Sequence, residues 1–320
     1  MNLHQDKDSF FAAIQAASDK LKILPVFVEK DYWITLVLKR LSESKFNDGV
    51  VFKGGTSLSK GHQLIDRFSE DIDIAVLNVS DLSGNQVKNL IRAVVMDISV
   101  DLIELTDFPG TSKGSRFRKS YYTYAKTGDE RFYEGISDKL IIEINSFANP
   151  FPYERREITS LISISLAMNK QNDLINRYDL LPFKVNVLNK RQTMLEKLVS
   201  LFRFSFEVDP VTGVAPRIRH FYDLHFLLTD RDCRILIDSD SFSNQFNDIW
   251  HHDQVAFDDP NGWKSKIVSQ SPLYNDFPVM WSSLKSTYSR ELSGLAFKPI
   301  PGEEKIFDSF SYIITKLPKS

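Results

Sequence analysis

The sequence predicts an α/β (α+β) fold with a mixed sheet, followed by a mostly helical C-terminal domain. Strand-like segments, in which apolar and polar residues alternate, occur only before residue 190. Apolar residues at helical spacing occur in both halves and dominate after that point. With 320 residues, 42% of them apolar, the chain can form one large core or two smaller ones. We therefore expect an α/β domain over residues 1–180 and a helical domain over residues 181–320.

Two helices open the first domain. Asp8 is the expected N-cap of a helix that ends near residue 21, and Pro25 opens a second helix that ends near residue 41. Alternation then predicts strands over residues 50–52, 72–77, 116–125, 139–145, 157–165 and 184–188. The remaining predicted helices cover residues 86–105, 190–206, 214–228, 241–256, 279–289 and 303–317.

Composition excludes several classes of protein. The formal net charge of −2 gives no overall basic field that would attract nucleic acid or an anionic membrane. The single cysteine, Cys233, excludes an intramolecular disulfide and a cysteine-based zinc site. No secretory signal opens the chain, and no apolar run approaches the roughly 20 residues that a membrane helix needs. We expect a soluble, cytoplasmic protein without a membrane partner.

A glycine-rich turn follows the first predicted strand. Gly54 and Gly55 allow the backbone to approach a ligand closely. Thr56 and Ser57 offer hydroxyl and N–H groups where a short helix is predicted to begin, and unpaired N–H donors at a helix start favour phosphate. Lys60 adds a cation one turn later. The turn is therefore a candidate nucleotide-binding site, although an ordinary strand-to-helix turn would look the same.

Two aspartates on the next predicted strand change the interpretation of that turn. Asp71 and Asp73 are two residues apart, so both side chains point to the same side of a strand. Paired carboxylates repel each other unless a cation joins them. Carboxylate oxygens together with triphosphate oxygens suit Mg²⁺ or Mn²⁺. We predict that Asp71 and Asp73 are metal ligands and catalytic residues; a solvent-facing acidic strand is the alternative.

A glycine turn followed by Asp-x-Asp resembles the DNA polymerase β-type nucleotidyltransferase superfamily. Two longer strings, FKGGTSLSK (residues 52–60) and RFSEDID (67–73), resemble more narrowly the AbiEii/AbiGii toxin family. Relatives of that family that act on tRNA are often called MenT toxins. The segments EKDYW (29–33) and RIRHFYDL (217–224) also resemble the family. The resemblance covers roughly residues 25–230.

The resemblance implies a polymerase β-like core and roles for further residues. Ser57 and Lys60 would contact phosphate. Lys197 matches a helical lysine that contacts nucleotide, and Asp223 matches a helical aspartate near the catalytic centre. Lys197 could instead be a surface residue, and Asp223 could pair with Arg219 one turn away.

Glu143 is an acidic residue inside an apolar predicted strand. Polymerase β-like enzymes commonly carry a third carboxylate on a neighbouring strand, so Glu143 could be a third metal ligand or a general base. A salt bridge to Arg118 or a similar residue would equally satisfy its charge.

Cations and aromatic residues alternate in the predicted strand that precedes Glu143. Arg116, Arg118 and Lys119 are followed by three tyrosines within residues 121–124. Such clusters can follow an RNA backbone and stack on bases, so these three cations are candidate RNA-binding residues. A solvated strand edge is the alternative.

These observations predict a metal-dependent nucleotidyltransferase toxin of a type IV toxin–antitoxin, or abortive-infection, system. It would transfer a nucleoside monophosphate from an NTP to RNA, with the tRNA 3′ end as the expected acceptor and release of pyrophosphate. Mg²⁺ or Mn²⁺ would be the cofactor, and a protein antitoxin the expected partner. The alternatives are transfer to a protein or small-molecule hydroxyl, or a non-catalytic NTP-binding module.

Overall fold

The computed structural model describes residues 1–127 and 138–318. The chain forms two compact units, one of Met1–Gln63 with Phe68–Leu188 and the other of Leu64–Arg67 with Asn189–Ser320. The sequence boundary was expected near residue 180, whereas the first unit extends to Leu188. The reason is that the last strand of the chain pairs within the sheet of the first unit.

The α-helices of the first unit accompany a single sheet. They are α1 (Lys7–Leu21), α2 (Pro25–Glu43), α3 (Gly54–Lys60), α4 (Gly84–Ile98), α5 (Leu161–Met168) and α6 (Asn172–Arg177). The N-cap of α1 is Asp6 rather than the predicted Asp8, because the Asp6 carboxylate accepts a hydrogen bond from the Ser9 N–H at 3.2 Å. Pro25 occupies the first position of α2, as the sequence predicted.

The described residues form an eight-stranded mixed sheet, and the predicted fold class is confirmed. The strands are β1 (Val50–Lys53), β2 (Asp71–Val76), β3 (Ile103–Glu104), β4 (Ser112–Lys113), β5 (Phe117–Thr123), β6 (Leu140–Asn145), β7 (Tyr153–Ile158) and β8 (Phe183–Leu188). Their order is β3-β5-β6-β2-β1-β8-β7, and β4 also pairs with β5. The β1–β8 and β2–β6 pairs are parallel, and the others are antiparallel.

The two faces of this sheet differ in chemistry. Side chains alternate between faces along a strand. On β2 and β6 the fully buried isoleucines, Ile72, Ile74, Ile142 and Ile144, share one face, which we call the core face. Helix α4 packs against β5 and β6. The opposite face carries the acidic residues of β2 and β6, so we call it the acidic face.

The sequence predicted the wrong C-terminal end for one strand and one helix of the first unit. The strand expected over residues 157–165 ends at Ile158, and α5 follows, capped by the Ser160 hydroxyl, which accepts a hydrogen bond from the Ser163 N–H at 3.0 Å. The helix expected over residues 86–105 ends at Ile98. Asp101 has a φ of +63°, a conformation that cannot continue a helix.

The second unit is helical in its described residues. Its helices are α7 (Lys190–Phe204), α8 (Pro210–Val214), α9 (Arg219–Thr229), α10 (Arg231–Ile237), α11 (Phe242–Ala256), α12 (Pro272–Asn275), α13 (Phe277–Ser293) and α14 (Glu303–Ile314). The helix expected over residues 214–228 is divided by a 3₁₀ turn at Ala215–Arg217. Within the described ranges no helix is both long enough and apolar enough to cross a membrane.

Candidate active site

The glycine turn connects β1 to α3 without an intervening loop. The sequence placed the helix start at Ser57, but α3 begins at Gly54, directly after Lys53. Gly54 has a φ of +77°, which L side chains rarely adopt. A Cβ at Gly54 would also lie 2.8 Å from the Cγ of Asp73 and closer still to one carboxylate oxygen. Glycine is therefore required at residue 54 by the conformation and by the proximity of Asp73.

Hydroxyl groups fix the first turn of α3. The Thr56 side chain donates a hydrogen bond to the carbonyl oxygen of Asp71 at 2.5 Å, which joins α3 to the start of β2. The Ser57 side chain is buried and donates to the carbonyl oxygen of Gly54 at 2.8 Å. Thr56 therefore holds the turn against β2, and Ser57 fixes the turn internally. The predicted phosphate contact of Ser57 stays a prediction.

A row of four charged residues crosses the acidic face. Lys53 on β1 lies opposite Asp73 on β2, Asp73 lies opposite Glu143 on β6, and Glu143 lies opposite Lys119 on β5. Asp71 is two residues before Asp73 on the same side of β2. Neighbouring strands lie about 4.7–4.9 Å apart, so two carboxylates in the middle of the row are flanked by two cations.

Lys119 partly neutralises the acidic face. Its Nζ lies 2.5 Å from Oε1 of Glu143. Burial tends to lower the pKa of Lys119, but the hydrogen bond and charge of Glu143, together with the charge of Asp71, raise it above its usual value. Glu143 therefore has Lys119 as its salt-bridge partner, in keeping with the alternative of a salt bridge to Arg118 or a similar residue. The third-ligand role of Glu143 stays a prediction.

The acidic face suits a cation that is shared with a ligand. Among the described residues, no three side chains of His, Cys, Asp or Glu form a cluster that could hold a metal ion. Asp71 and Asp73 are partly exposed on one side of β2, and Mg²⁺ commonly uses one or two carboxylates plus substrate phosphates. These two residues therefore fit a divalent ion whose other ligands are nucleotide oxygens and water.

Three consecutive residues of α2 contact three other segments of the first unit. Glu29 accepts hydrogen bonds from the N–H and hydroxyl of Thr127, at 2.9 and 3.2 Å. Lys30 is fully buried, and its Nζ lies 2.8 Å from the carboxylate of Glu70, the residue before Asp71. Burial lowers the pKa of Lys30 despite the opposing effect of Glu70. Glu29 and Lys30 belong to the EKDYW segment, whose sequence carries no signal for these contacts.

Asp31 continues this set of contacts and engages a predicted phosphate ligand. Its Oδ1 lies 2.5 Å from Nζ of Lys60, and its Oδ2 accepts a hydrogen bond from the Leu161 N–H at 2.7 Å. Lys60 also donates to the carbonyl oxygen of Thr159 at 2.8 Å. In this arrangement Lys60 joins α3 to α2 and to the start of α5. Its contact with phosphate stays a prediction.

The two catalytic residues that were predicted beyond the sheet belong to the second unit, where they meet. Lys197 on α7 and Asp223 on α9 lie 2.8 Å apart, measured from Nζ to Oδ2. Arg67 donates to both carboxylate oxygens of Asp223 at 2.7 Å. Among the described residues Asp223 pairs with Arg67 and Lys197, and not with Arg219, the alternative partner that the sequence suggested. Arg67 was part of a recognised string, but no role was predicted for it.

Two cations share the one carboxylate of Asp223. Burial tends to raise the pKa of Asp223, but the charges and hydrogen bonds of Arg67 and Lys197 lower it well below its usual range. Burial, and then the charge of Lys197, lowers the pKa of His220 well below its usual value, so His220 is neutral near pH 7. The cluster of Arg67, Lys197 and Asp223 therefore keeps one net positive charge.

The three predicted RNA-binding cations do not share a surface. Lys119 lies on the acidic face, and Arg118, the adjacent residue on β5, lies on the core face. Arg118 donates to the Ser120 hydroxyl at 3.1 Å and to the Glu104 carboxylate at 3.0 Å. Arg116 is exposed just before β5. These positions separate the three residues, and their contact with RNA stays a prediction.

A mixed sheet with paired aspartates beside a glycine turn is the arrangement that the sequence predicted for a nucleotidyltransferase. The family model described as "Nucleotidyl transferase AbiEii toxin, Type IV TA system" matches residues 36–297, most of the chain. The protein therefore belongs to the AbiEii family of nucleotidyltransferase toxins, as the resemblance suggested. Membership implies an NTP substrate and a cognate antitoxin.

Comparison of structures supports the fold. MenT4, a nucleotidyltransferase toxin from Mycobacterium tuberculosis H37Rv, aligns with a TM-score of 0.54 and 15% sequence identity. The alignment covers 94% of this chain and 89% of that chain. At this identity the likeness concerns the fold alone. A search of curated proteins found no match.

Proposed function

We propose that this toxin transfers a nucleoside monophosphate from an NTP to an RNA acceptor, with the tRNA 3′ end as the preferred site. The geometry of the acidic face supports this proposal. Asp71 and Asp73 lie beside the glycine turn, and Asp73 is so close to Gly54 that residue 54 cannot carry a side chain. Because NTPs and tRNA share one compartment, we place the reaction in the cytoplasm.

Asp71 and Asp73 would hold Mg²⁺ or Mn²⁺ together with oxygens of the triphosphate. Such an ion would neutralise the negative charge of the phosphates. The Nζ atom of Lys119 lies 2.5 Å from the Glu143 carboxylate. This ion pair neutralises Glu143, which reduces the repulsion between the acidic face and the incoming triphosphate. Thr56 and Gly54 fix the turn, which positions the backbone for close approach of phosphate.

Lys197 would contribute to nucleotide binding in the second unit. An ammonium group has three N–H donors, and Asp223 engages the Lys197 ammonium at 2.8 Å. The remaining hydrogens can bind phosphate. Asp223 would act as a positioning residue, because it is fully buried and holds Lys197 and Arg67 in place.

The test uses the purified chain, Mg²⁺, total tRNA and each α-³²P-labelled NTP in turn. We expect label on RNA, and we expect Asp71→Asn/Asp73→Asn to reduce it at least about a hundredfold, since the substitution removes metal-binding charge with little change of shape. EDTA should abolish labelling, and added Mn²⁺ should restore it. Asp81→Asn/Asp97→Asn is the matched control, because both residues are exposed acids of the same unit.

Other outcomes would favour the alternatives. Label on protein rather than RNA would identify a polypeptide hydroxyl as the acceptor, and label on a small molecule would identify a metabolite. Binding of NTP without release of pyrophosphate would indicate a non-catalytic module. Full activity of the Asp71→Asn/Asp73→Asn variant would exclude the proposed centre.

A further inference from the structure

A groove lies beside the core face, at the edge of the sheet farthest from β7. It has a volume of about 510 Å³ and lies between α4 and strands β3, β4 and β5. Its floor contains the buried Val95 and Tyr122. No site residue discussed above lines the groove except Arg118.

The groove has a strong excess of positive charge. Four cationic side chains and one carboxylate line it, which leaves three net positive charges in a chain whose formal net charge is −2. These lining residues are Lys88, Arg92, Lys113, Arg118 and Glu104. A concentration of one charge in a concave surface attracts a ligand of the opposite charge.

The cations are of two kinds. Glu104 lies 3.0 Å from Nη2 of Arg118 and 3.3 Å from Nζ of Lys113, so it fixes both cations and neutralises one charge. Lys88 and Arg92 are exposed, one turn apart on α4, and neither forms an ion pair or side-chain hydrogen bond within residues 1–127 and 138–318. They are available to a polyanion.

The groove is close to the proposed catalytic centre along the chain and across the sheet. Arg118 lines the groove, and the next residue, Lys119, pairs with Glu143 on the acidic face. Strands β3 and β4 lie outside β5. Because Arg118 and Lys119 point to opposite faces, a polyanion in the groove has to pass around this edge of the sheet to reach the acidic face.

We propose that this groove binds the phosphodiester backbone of the RNA acceptor, away from its reacting end. The inference rests on the proposed function, because it takes RNA as the acceptor. Lys88 and Arg92 contact successive phosphates, and Arg118, fixed by Ser120 and Glu104, contacts a third. Backbone contacts of this kind position a nucleic acid without reading its sequence.

The experiment measures binding of a short fluorescent RNA of mixed sequence to the full chain by anisotropy, in EDTA and without NTP. We expect Lys88→Ala/Arg92→Ala to weaken binding about tenfold at low salt. Each lost phosphate contact to a single strand should reduce the slope of log K against log salt by about 0.7, so the double variant should lose about 1.4. Lys7→Ala/Lys20→Ala removes two exposed cations from α1 as the matched control.

The outcomes separate this inference from the proposed chemistry. Because the assay contains neither NTP nor a metal ion, it measures RNA binding independently of nucleotide transfer. Equal affinity and salt slope in the Lys88→Ala/Arg92→Ala variant would overturn the groove assignment and leave the transferase proposal intact. Failure of the unchanged chain to bind RNA, with poly-glutamate bound instead, would overturn the RNA assignment in favour of an acidic protein partner.

Discussion

At the scale of single residues, Gly54 determines whether Asp73 can occupy its place. We expect Gly54→Ala to lower the free energy of unfolding by about 1–3 kcal/mol. Alanine is strained at the positive φ of residue 54, and its Cβ would overlap the Asp73 carboxylate. Nucleotide transfer should fall with it, because Asp73 must move. Urea denaturation and the labelling rate measure the two effects.

The control for this change is Gly49→Ala. Nothing lies within 4 Å of a Cβ at Gly49, and its φ is not in the left-handed region. The Gly49 variant should therefore be close to the unchanged protein in both measurements. Equal losses in the two variants would show that Gly54 has no special relation to Asp73.

Asp223 is the second residue on which much depends, because it is fully buried between Arg67 and Lys197. Asp223→Asn leaves two cations without their carboxylate, and we expect it to lower the free energy of unfolding by about 3–5 kcal/mol at pH 7. Denaturant titrations of the variant and of the unchanged chain measure this difference. The exposed Asp240→Asn, in the same unit, is the control.

The same substitution predicts a dependence on pH. The folded-state pKa of Asp223 is lowered, so its contribution to stability is complete above the unfolded pKa of about 4 and is lost as the pH falls through the folded value. The difference between the two proteins should be constant from about pH 7 to pH 5 and should shrink below about pH 4. A difference that stays unchanged at pH 3 would contradict this assignment.

Residue spacing predicted part of the candidate site and missed the rest for a physical reason. Asp71 and Asp73 could be paired from sequence because strand alternation is a local rule. The partner of Asp223 could not, since Arg67 is 156 residues away and only tertiary packing brings the two together. Lys119 was likewise recognised as a cation, but its contact with Glu143 depends on the register of β5 against β6.

At the scale of elements, α2 supports the strand that carries the aspartates. Its Lys30 is buried against Glu70, at the start of β2. In a double-mutant cycle of Lys30→Met and Glu70→Gln, we expect a coupling energy of about 1–3 kcal/mol in the free energy of unfolding. Transfer activity should fall in each single variant, because Asp71 follows Glu70 directly.

The exposed pair of Arg234 and Asp238 provides the comparison. Nε of Arg234 lies 2.7 Å from Oδ2 of Asp238, close to the 2.8 Å between Lys30 and Glu70. The side chains of Arg234 and Asp238, however, are 45% and 37% exposed. Water and salt screen such a pair, so its coupling energy should not exceed about 0.5 kcal/mol. Similar coupling in the two cycles would mean that burial of Lys30 does not strengthen its interaction with Glu70.

Hydrophobic periodicity predicted most helices and strands correctly. It was misleading where one short segment matched both the two-residue period of a strand and the period of a helix. The alternation of Ile with Thr and Ser over residues 157–165 predicted a strand, but Ile162 and Leu166 are also four apart and both are buried on one side of α5. The cap at Ser160 decides between the two possibilities. Strands β3 and β4 have two residues each, which is too short for any periodic signal.

At the scale of the whole molecule, the fold class and the family were predictable because the recognised strings lie within the matched residues 36–297 or next to them. The assignment of Leu64–Arg67 to the second unit was not predictable. These four residues join it through backbone pairing: the Phe297 N–H donates to the carbonyl oxygen of Asp66 at 2.7 Å, and Arg67 forms a bridge with Ala296.

Each unit is therefore assembled from stretches of chain that are not contiguous, and this limits how the gene can be divided. A fragment that begins at Asn189 contains Asp223 and Lys197 but lacks Arg67. During synthesis, residues 64–67 leave the ribosome long before residues 296–298, with which they pair. A product that ends just before Ala296 would contain Arg67, Lys197 and Asp223 but would lack the backbone pairing that joins residues 64–67 to the rest of the second unit.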